Sequence, residues 1–113
     1  MANNTQMLKG LLEGCILNII DKNETYGYEI CEKLIEFGFE GISEGSVYPI
    51  LIRLEKKKLV YSLMKKSPLG PMRKYYYLTE EGSYELKEFI LSWNEMKKNV
   101  DSILGERNDV IRD

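Results

Sequence analysis

A mainly α-helical fold with a small β-hairpin and a long C-terminal helix is what the 113-residue sequence predicts. Three observations carry that expectation. Apolar residues recur at helical spacing in separate stretches before residue 59. Two strand-like segments, the second rich in tyrosine, flank the Pro/Gly cluster "SPLGP" at 67–71. A seven-residue apolar repeat then runs from Leu86 to Ile103. The length fits one domain with a modest core.

The first helix is expected over 7–20, "MLKGLLEGCILNII". Leu8, Leu12, Cys15, Ile16 and Ile19 form one stripe, and Met7, Gly10, Gly14 and Leu17 lie roughly opposite. A helix apolar or small on two faces is usually held between two partners. The glycines cost about 1 kcal/mol each relative to alanine, which makes sense where something packs closely. The second face meets either more of the chain's own core or another subunit.

"DKNETYGYEI" breaks the pattern, with Thr25 a plausible N-cap for a second helix over 26–37 that buries Ile30, Cys31 and Leu34. Gly38 is a natural stop. Ser43 or Ser46 caps a third helix over 44–58, with Val47, Ile50, Leu51 and Leu54 turned inward. Pro49 has no N–H to give, so this helix is expected to begin close to Ser46 or to have an irregular first turn. Strands follow at 59–66 and 72–79 as a β-hairpin. Thr79 is placed to cap the last helix, with Glu80 and Glu81 at its positive end. Three helices, a hairpin and a long helix make the plan of a winged helix-turn-helix domain, 1–79, followed by a C-terminal helix, 80–113.

Composition narrows function by exclusion. Histidine is absent and only two cysteines occur, Cys15 and Cys31, each in an apolar stripe. The commonest general base and metal ligand is therefore missing. No phosphate loop, nucleophile motif or metal spacing is present, so neither an enzyme nor a cofactor is expected. No apolar run approaches the roughly 18–20 residues of a membrane span. The start "MANNTQMLKG" lacks the basic and apolar blocks of a secretory signal, so a cytoplasmic location is the expectation.

Charge is distributed unevenly. Arg53, Lys56, Lys57, Lys58, Lys65, Lys66, Arg73 and Lys74 stand against Glu55 alone, a surplus of seven, whereas the whole chain is −2. The cations sit on the third helix and the hairpin, the two elements that hold nucleic acid in such a domain. A helical wheel turns Pro49, Ile52, Arg53 and Lys56 outward, toward a major groove. Arg53 is the foremost candidate for a base or phosphate contact, because its fork can bind two acceptors. Ser46 and Tyr48 lie near the helix start. Lys65, Lys66, Arg73 and Lys74, with Tyr75 beside them, flank the hairpin tip, where phosphates or the minor groove would be held. Tyr76 and Leu78 share a face and are expected in the core. Clustering against an acidic background speaks for double-stranded DNA as partner. A drug- or protein-binding winged-helix module without DNA-binding activity is the alternative, and it would not require such clustering.

In the last helix Leu86, Trp93 and Val100 are seven apart, as are Phe89, Met96 and Ile103. This a/d pattern predicts a homodimer seam, or else packing onto the chain's own domain. Trp93 serves either as an interface anchor or as a planar surface for an aromatic ligand, with Met7, Leu17, Ile90 and Met96 as soft walls and Gly14 leaving room.

"YGYEI" at 26–30, "GSVYPILIRLEKKKLV" at 45–60 and "RKYYYLTEEG" at 73–82 resemble, in order and spacing, the PadR-type transcriptional regulators. The resemblance covers about residues 7–104 and is closest to the compact subgroup with a single C-terminal dimerisation helix. It implies a homodimeric bacterial repressor on a palindromic operator, released by a small aromatic or cationic hydrophobic compound. Family targets include genes for phenolic-acid detoxification and multidrug efflux, and often the regulator's own gene. Tyr28 of "YGYEI" joins the DNA-binding candidates on this ground. "LSWNEM" puts Trp93 where the subgroup has a tryptophan lining a ligand pore. The wing "SPLGPMRK" is less basic at its tip than in many relatives.

Overall fold

The computed structural model describes residues 8 and 10–112 and, within them, side chains up to residue 105. The chain runs α1 (Leu12–Lys22), β1 (Thr25–Tyr26), α2 (Gly27–Glu36), α3 (Glu44–Lys56), β2 (Val60–Lys66), β3 (Met72–Leu78) and α4 (Glu80–Arg112). The strands form one antiparallel sheet in the order β1-β3-β2. The fold is mainly helical with a small sheet and a long terminal helix, as the sequence predicts.

One helix stripe from each of α1, α2 and α3 meets in the core. Ile16, Leu17, Ile30, Leu34, Val47, Leu51 and Leu54 are almost fully buried, and Val60 and Tyr76 close the sheet side. Each such aliphatic side chain contributes about 1.5–3 kcal/mol on leaving water. Burial pushes the Tyr76 hydroxyl up to about 12.

Three local expectations are corrected. Thr25 does not cap α2: it lies in β1, opposite Tyr76, and Tyr26 occupies the cap position without a side-chain hydrogen bond. The hairpin thereby gains a third strand. The helix expected over 7–20 is interrupted: Leu8 is helical, Gly10 and Leu11 form a turn in which the Leu11 N–H bonds the Leu8 carbonyl at 2.9 Å, and α1 runs from Leu12. The third helix begins at Glu44, as the 44–58 bounds predict and not close to Ser46, so Pro49 lies inside it. The carbonyl that Pro49 leaves unpaired belongs to Gly45, which is exposed and open to water.

Two helix ends share one geometry. After α2, the Gly38 N–H bonds Ile35 and the Phe39 N–H bonds Leu34, with Gly38 at φ 108°. After α3, the Lys58 N–H bonds Glu55 and the Leu59 N–H bonds Leu54, and here a lysine holds the left-handed position at φ 62°. Both are Schellman stops, which normally take glycine.

α4 is rooted on the base of the hairpin. The Thr79 N–H donates to the Leu59 carbonyl (3.0 Å), its hydroxyl donates to the Lys58 carbonyl (2.7 Å), and the same oxygen accepts the Gly82 N–H (2.9 Å). Thr79 is thus the N-cap that the sequence predicts. Gly82 is pressed onto the Leu59 carbonyl so closely that a Cβ there would lie 1.9 Å from the oxygen.

The heptad residues of α4 divide. Leu86 is buried in the core of its own chain, and the Phe89 ring lies against Gly14 of α1, within 2.4 Å of where a Cβ would be. Beyond them Trp93, Met96, Val100 and Ile103 are exposed, Ile103 to 75%.

Candidate nucleic-acid interface

α3 presents Tyr48, Pro49, Ile52, Arg53 and Lys56 to solvent, as the wheel predicts. Tyr48 is only partly free, since its ring lies over Gly27, where a Cβ would come within 2.7 Å. That contact explains the glycine in "YGYEI": it lets the start of α2 close against α3. Ser46 is half-buried, with its hydroxyl 3.5 Å from that of Ser43.

The cations of α3 and the hairpin are less free than their sequence spacing suggests. Arg53 Nε donates to Glu13 Oε2 of α1 at 2.8 Å, and Lys57 Nζ lies 3.5 Å from Glu13 Oε1. Lys65 pairs with Glu24, which also accepts a 2.6 Å hydrogen bond from the Tyr77 hydroxyl. Lys74 lies 3.5 Å from Glu55. Glu13 and Glu24 come from outside the basic segment and lower its local surplus from seven to five. Lys56, Lys58, Lys66 and Arg73 make no ion pair among the described residues.

Protonation follows these contacts. Burial pushes the Glu13 carboxyl up, but the Arg53 hydrogen bond and the charges of Lys57 and Arg53 outweigh it, and the net displacement is downward. The Lys65 hydrogen bond, with that of Tyr77, holds Glu24 below the ordinary carboxylate range, and Glu24 in turn raises Lys65. Glu13 and Glu24 thus stay ionised, and Lys65 protonated, at neutral pH.

Tyrosines carry the wing. The outer face of the sheet sets Arg73 over the Tyr26 ring at 4.5 Å and Lys65 over Tyr75 at 5.3 Å. Tyr26 meets Tyr75 edge-on at 5.4 Å, and Tyr61 stacks on Tyr77 at 5.3 Å. Such contacts contribute about 0.5–1 kcal/mol each at exposed sites and limit how far the cations swing. Tyr75 is corrected by this arrangement: it is buried beneath Tyr26 and Lys65 and is a support for the wing, not a surface for DNA. Tyr28 stands apart from the cations. It is exposed beside Glu32, whose charge, with that of Glu44, pushes its hydroxyl up. Lys65, Lys66, Arg73 and Lys74 do share the hairpin, with Lys65 opposite Arg73 and Lys66 near the turn.

A separate groove of about 640 Å³ runs between the start of α1 and the middle of α4, lined by Gly10, Leu11, Phe89, Trp93, Met96 and Val100. Of the residues expected around a ligand, it brings Trp93 and Met96 together. Ile90 lies instead on a second cleft of about 340 Å³, beside Cys15 and Phe37. Leu17 is corrected: at 1% exposure it belongs to the core. The room expected at Gly14 is filled by Phe89. Met7 lies outside the described residues. Leu86 is likewise corrected from seam to core, and Phe89 is shared between Gly14 and the groove. Sequence reasoning missed Glu13, Glu24, Tyr26 and Tyr77. An acidic residue distant along the chain gives no sign of which cation it will meet. Gly10 is legible as a small position of the first stretch but not as a groove wall, and Leu11 falls in neither of its stripes.

The sequence pattern of the family described as "Transcriptional regulator PadR-like family" matches residues 16–88. Among solved structures, the chain is similar to a PadR-like transcriptional regulator from Bacillus cereus, at 52% identity, 88% of this chain, 96% of that one and a TM-score of 0.83. It is similar also to a Streptococcus transcriptional regulator, at 43% identity, 87% and 96% coverage and a TM-score of 0.82. An uncharacterised protein of Lysinibacillus sphaericus is 32% identical over 100 residues, 86% of this chain and 91% of the relative.

Proposed function

The chain belongs to the PadR-like family of transcriptional regulators, and on that premise we propose that it represses transcription as a homodimer on a palindromic operator. The observation that carries this reading is the gathering of Arg53, Lys56, Lys57, Lys58, Lys65, Lys66, Arg73 and Lys74 on α3 and the β2–β3 hairpin of an otherwise acidic chain. α3 enters the major groove with Arg53 and Lys56 foremost. The hairpin, stiffened by its tyrosines, holds flanking phosphates through Lys66 and Arg73. In a two-fold dimer the two α3 helices read half-sites about 34 Å apart.

The exposed apolar run of α4 supports the dimer. Trp93, Met96, Val100 and Ile103 make a stripe that a lone chain leaves in water. The groove beside Trp93 supports a planar hydrophobic or aromatic effector, stacked on the indole. Such a compound releases the operator if it favours a dimer geometry in which the two α3 helices no longer match successive grooves.

The test begins with DNA that the purified protein enriches from its own genome, titrated by fluorescence anisotropy at 50 and 200 mM salt. A protein that neutralises about six phosphates loses on the order of 10³ in affinity over that range. A flat response refutes DNA contact and favours a protein- or drug-binding winged-helix module. Sedimentation velocity checks the dimer. Calorimetry with a planar aromatic cation on wild type and Trp93→Ala checks the effector site, because loss of the sole tryptophan removes fluorescence quenching trivially. Unchanged affinity in that variant refutes stacking on Trp93.

A further inference from the structure

Glu13 presents a puzzle for a DNA-reading surface. It places a carboxylate beside the residue expected to meet DNA most intimately, where phosphate would be repelled. Both of its oxygens are engaged, Oε2 by Arg53 Nε at 2.8 Å and Oε1 by Lys57 Nζ at 3.5 Å. It comes from α1, a helix that contributes no other carboxylate to α3 among the described residues. It is also the more sheltered partner, 29% exposed against 50% for Arg53.

Resting on the reading of α3 as the DNA reader, we propose that Glu13 is a positioning residue for Arg53 and sets operator selectivity at the expense of affinity. A free arginine on an exposed helix face samples many rotamers and settles on any phosphate within reach. The bond to Nε fixes the plane of the guanidinium and leaves its terminal nitrogens, which hold no other hydrogen bond among the described residues, as the edge offered outward. That edge is the one that pairs with the two acceptors of a guanine. On non-operator DNA the fixed edge meets no matching pair of acceptors, and swinging it onto a phosphate breaks the bond to Glu13 and leaves that carboxylate, held by Lys57 alone, facing the backbone. Glu13 therefore penalises non-specific complexes more than the specific one, which is selectivity obtained by disfavouring the wrong partner. The low-lying carboxyl keeps this device charged throughout the neutral range.

The experiment compares wild type, Glu13→Ala and Glu13→Gln on the genome-enriched fragment and on mixed-sequence competitor DNA at one salt concentration, with circular dichroism to show that each variant is folded. Glutamine removes the charge but still accepts a hydrogen bond from Nε. Positioning predicts that Glu13→Ala binds competitor DNA more tightly and loses about tenfold in the operator-to-competitor ratio, the scale of one bidentate base contact. Glu13→Gln tightens on both DNAs and keeps most of the ratio. If alanine and glutamine variants behave alike, with the ratio unchanged, Glu13 acts only as a counter-charge and the proposal is overturned. If wild type shows no salt-sensitive preference for the enriched fragment, the DNA reading itself fails, and Glu13's role with it. That result is distinct from a selective wild type whose alanine variant is equally selective.

Discussion

Replacing Gly82 by alanine tests how α4 is joined to the rest of the molecule. The added Cβ would sit 1.9 Å from the Leu59 carbonyl oxygen. A carbon–oxygen contact settles at about 3.3 Å or more, so the carbonyl or the helix must retreat by roughly 1.4 Å. Neither moves alone. The Leu59 carbonyl accepts the Thr79 N–H, and Thr79 is fixed in turn to the Lys58 carbonyl and the Gly82 N–H. Losing two of these hydrogen bonds costs about 1 kcal/mol each. Local overpacking adds roughly 1–3 kcal/mol. Alanine's better helix propensity returns about 1 kcal/mol. The expected net loss is therefore about 2–4 kcal/mol. With a urea dependence of about 1–3 kcal/mol per molar, the unfolding midpoint falls by on the order of 1–2 M. Far-UV circular dichroism in urea, at one protein concentration for both proteins, reads this directly. A variant as resistant as wild type would mean that the joint yields freely and that the close approach stabilises nothing.

Arg53→Ala should abolish operator recognition while leaving a folded dimer, as read by anisotropy and sedimentation; unimpaired binding removes Arg53 from the interface. Lys58→Gly relieves a left-handed lysine and should raise stability by about 0.5–1 kcal/mol in urea. It should also flatten the salt dependence if Lys58 meets a phosphate, and an unchanged midpoint would show the lysine to be unstrained. Glu13 and Glu24 both have carboxyls lower in the folded chain than in the unfolded one. Their contribution is complete above the unfolded value, near the ordinary 4.5, and is lost as pH falls through the depressed folded values. Melting temperature should thus drop as pH goes below 4.5, modestly because both sites are open to solvent, and Glu13→Gln should blunt the drop. A melting temperature that holds steady over that window contradicts the pairing.

Much of the architecture was legible because it rests on local chemistry. The stripe of Val47, Ile50, Leu51 and Leu54 is buried as the wheel requires, Gly38 ends its helix and Thr79 begins the last one. What escaped depended on long-range contacts. A two-residue strand has no alternation to detect, so Thr25 reads as a cap in the sequence although it pairs with Tyr76 in the sheet. Strand alternation puts Tyr75 and Tyr76 on opposite faces; Tyr76 is buried in the helical core, and only the arrival of Tyr26 covers Tyr75 on the other side. The heptad of α4 fits a homodimer seam or packing onto the chain's own domain, and Leu86 and Phe89 take the second course against the core and α1, because a periodic stripe does not say which neighbour covers each turn. The basic cluster was visible as a count, but its partial neutralisation by Glu13 and Glu24 was not, since charges far apart in the chain meet only after folding.

One residue, Thr79, separates the end of β3 from the start of α4. Each residue of an α-helix turns the chain by about 100°. Inserting or deleting a single amino acid at that junction would therefore rotate the tryptophan-bearing side of α4 by more than a quarter turn about its axis, and shear the Thr79 anchors as well. The stretch 67–71 at the far end of the hairpin sets no such phase. Changes in length can be absorbed at the tip of the wing, while its base works like the keyed end of a shaft.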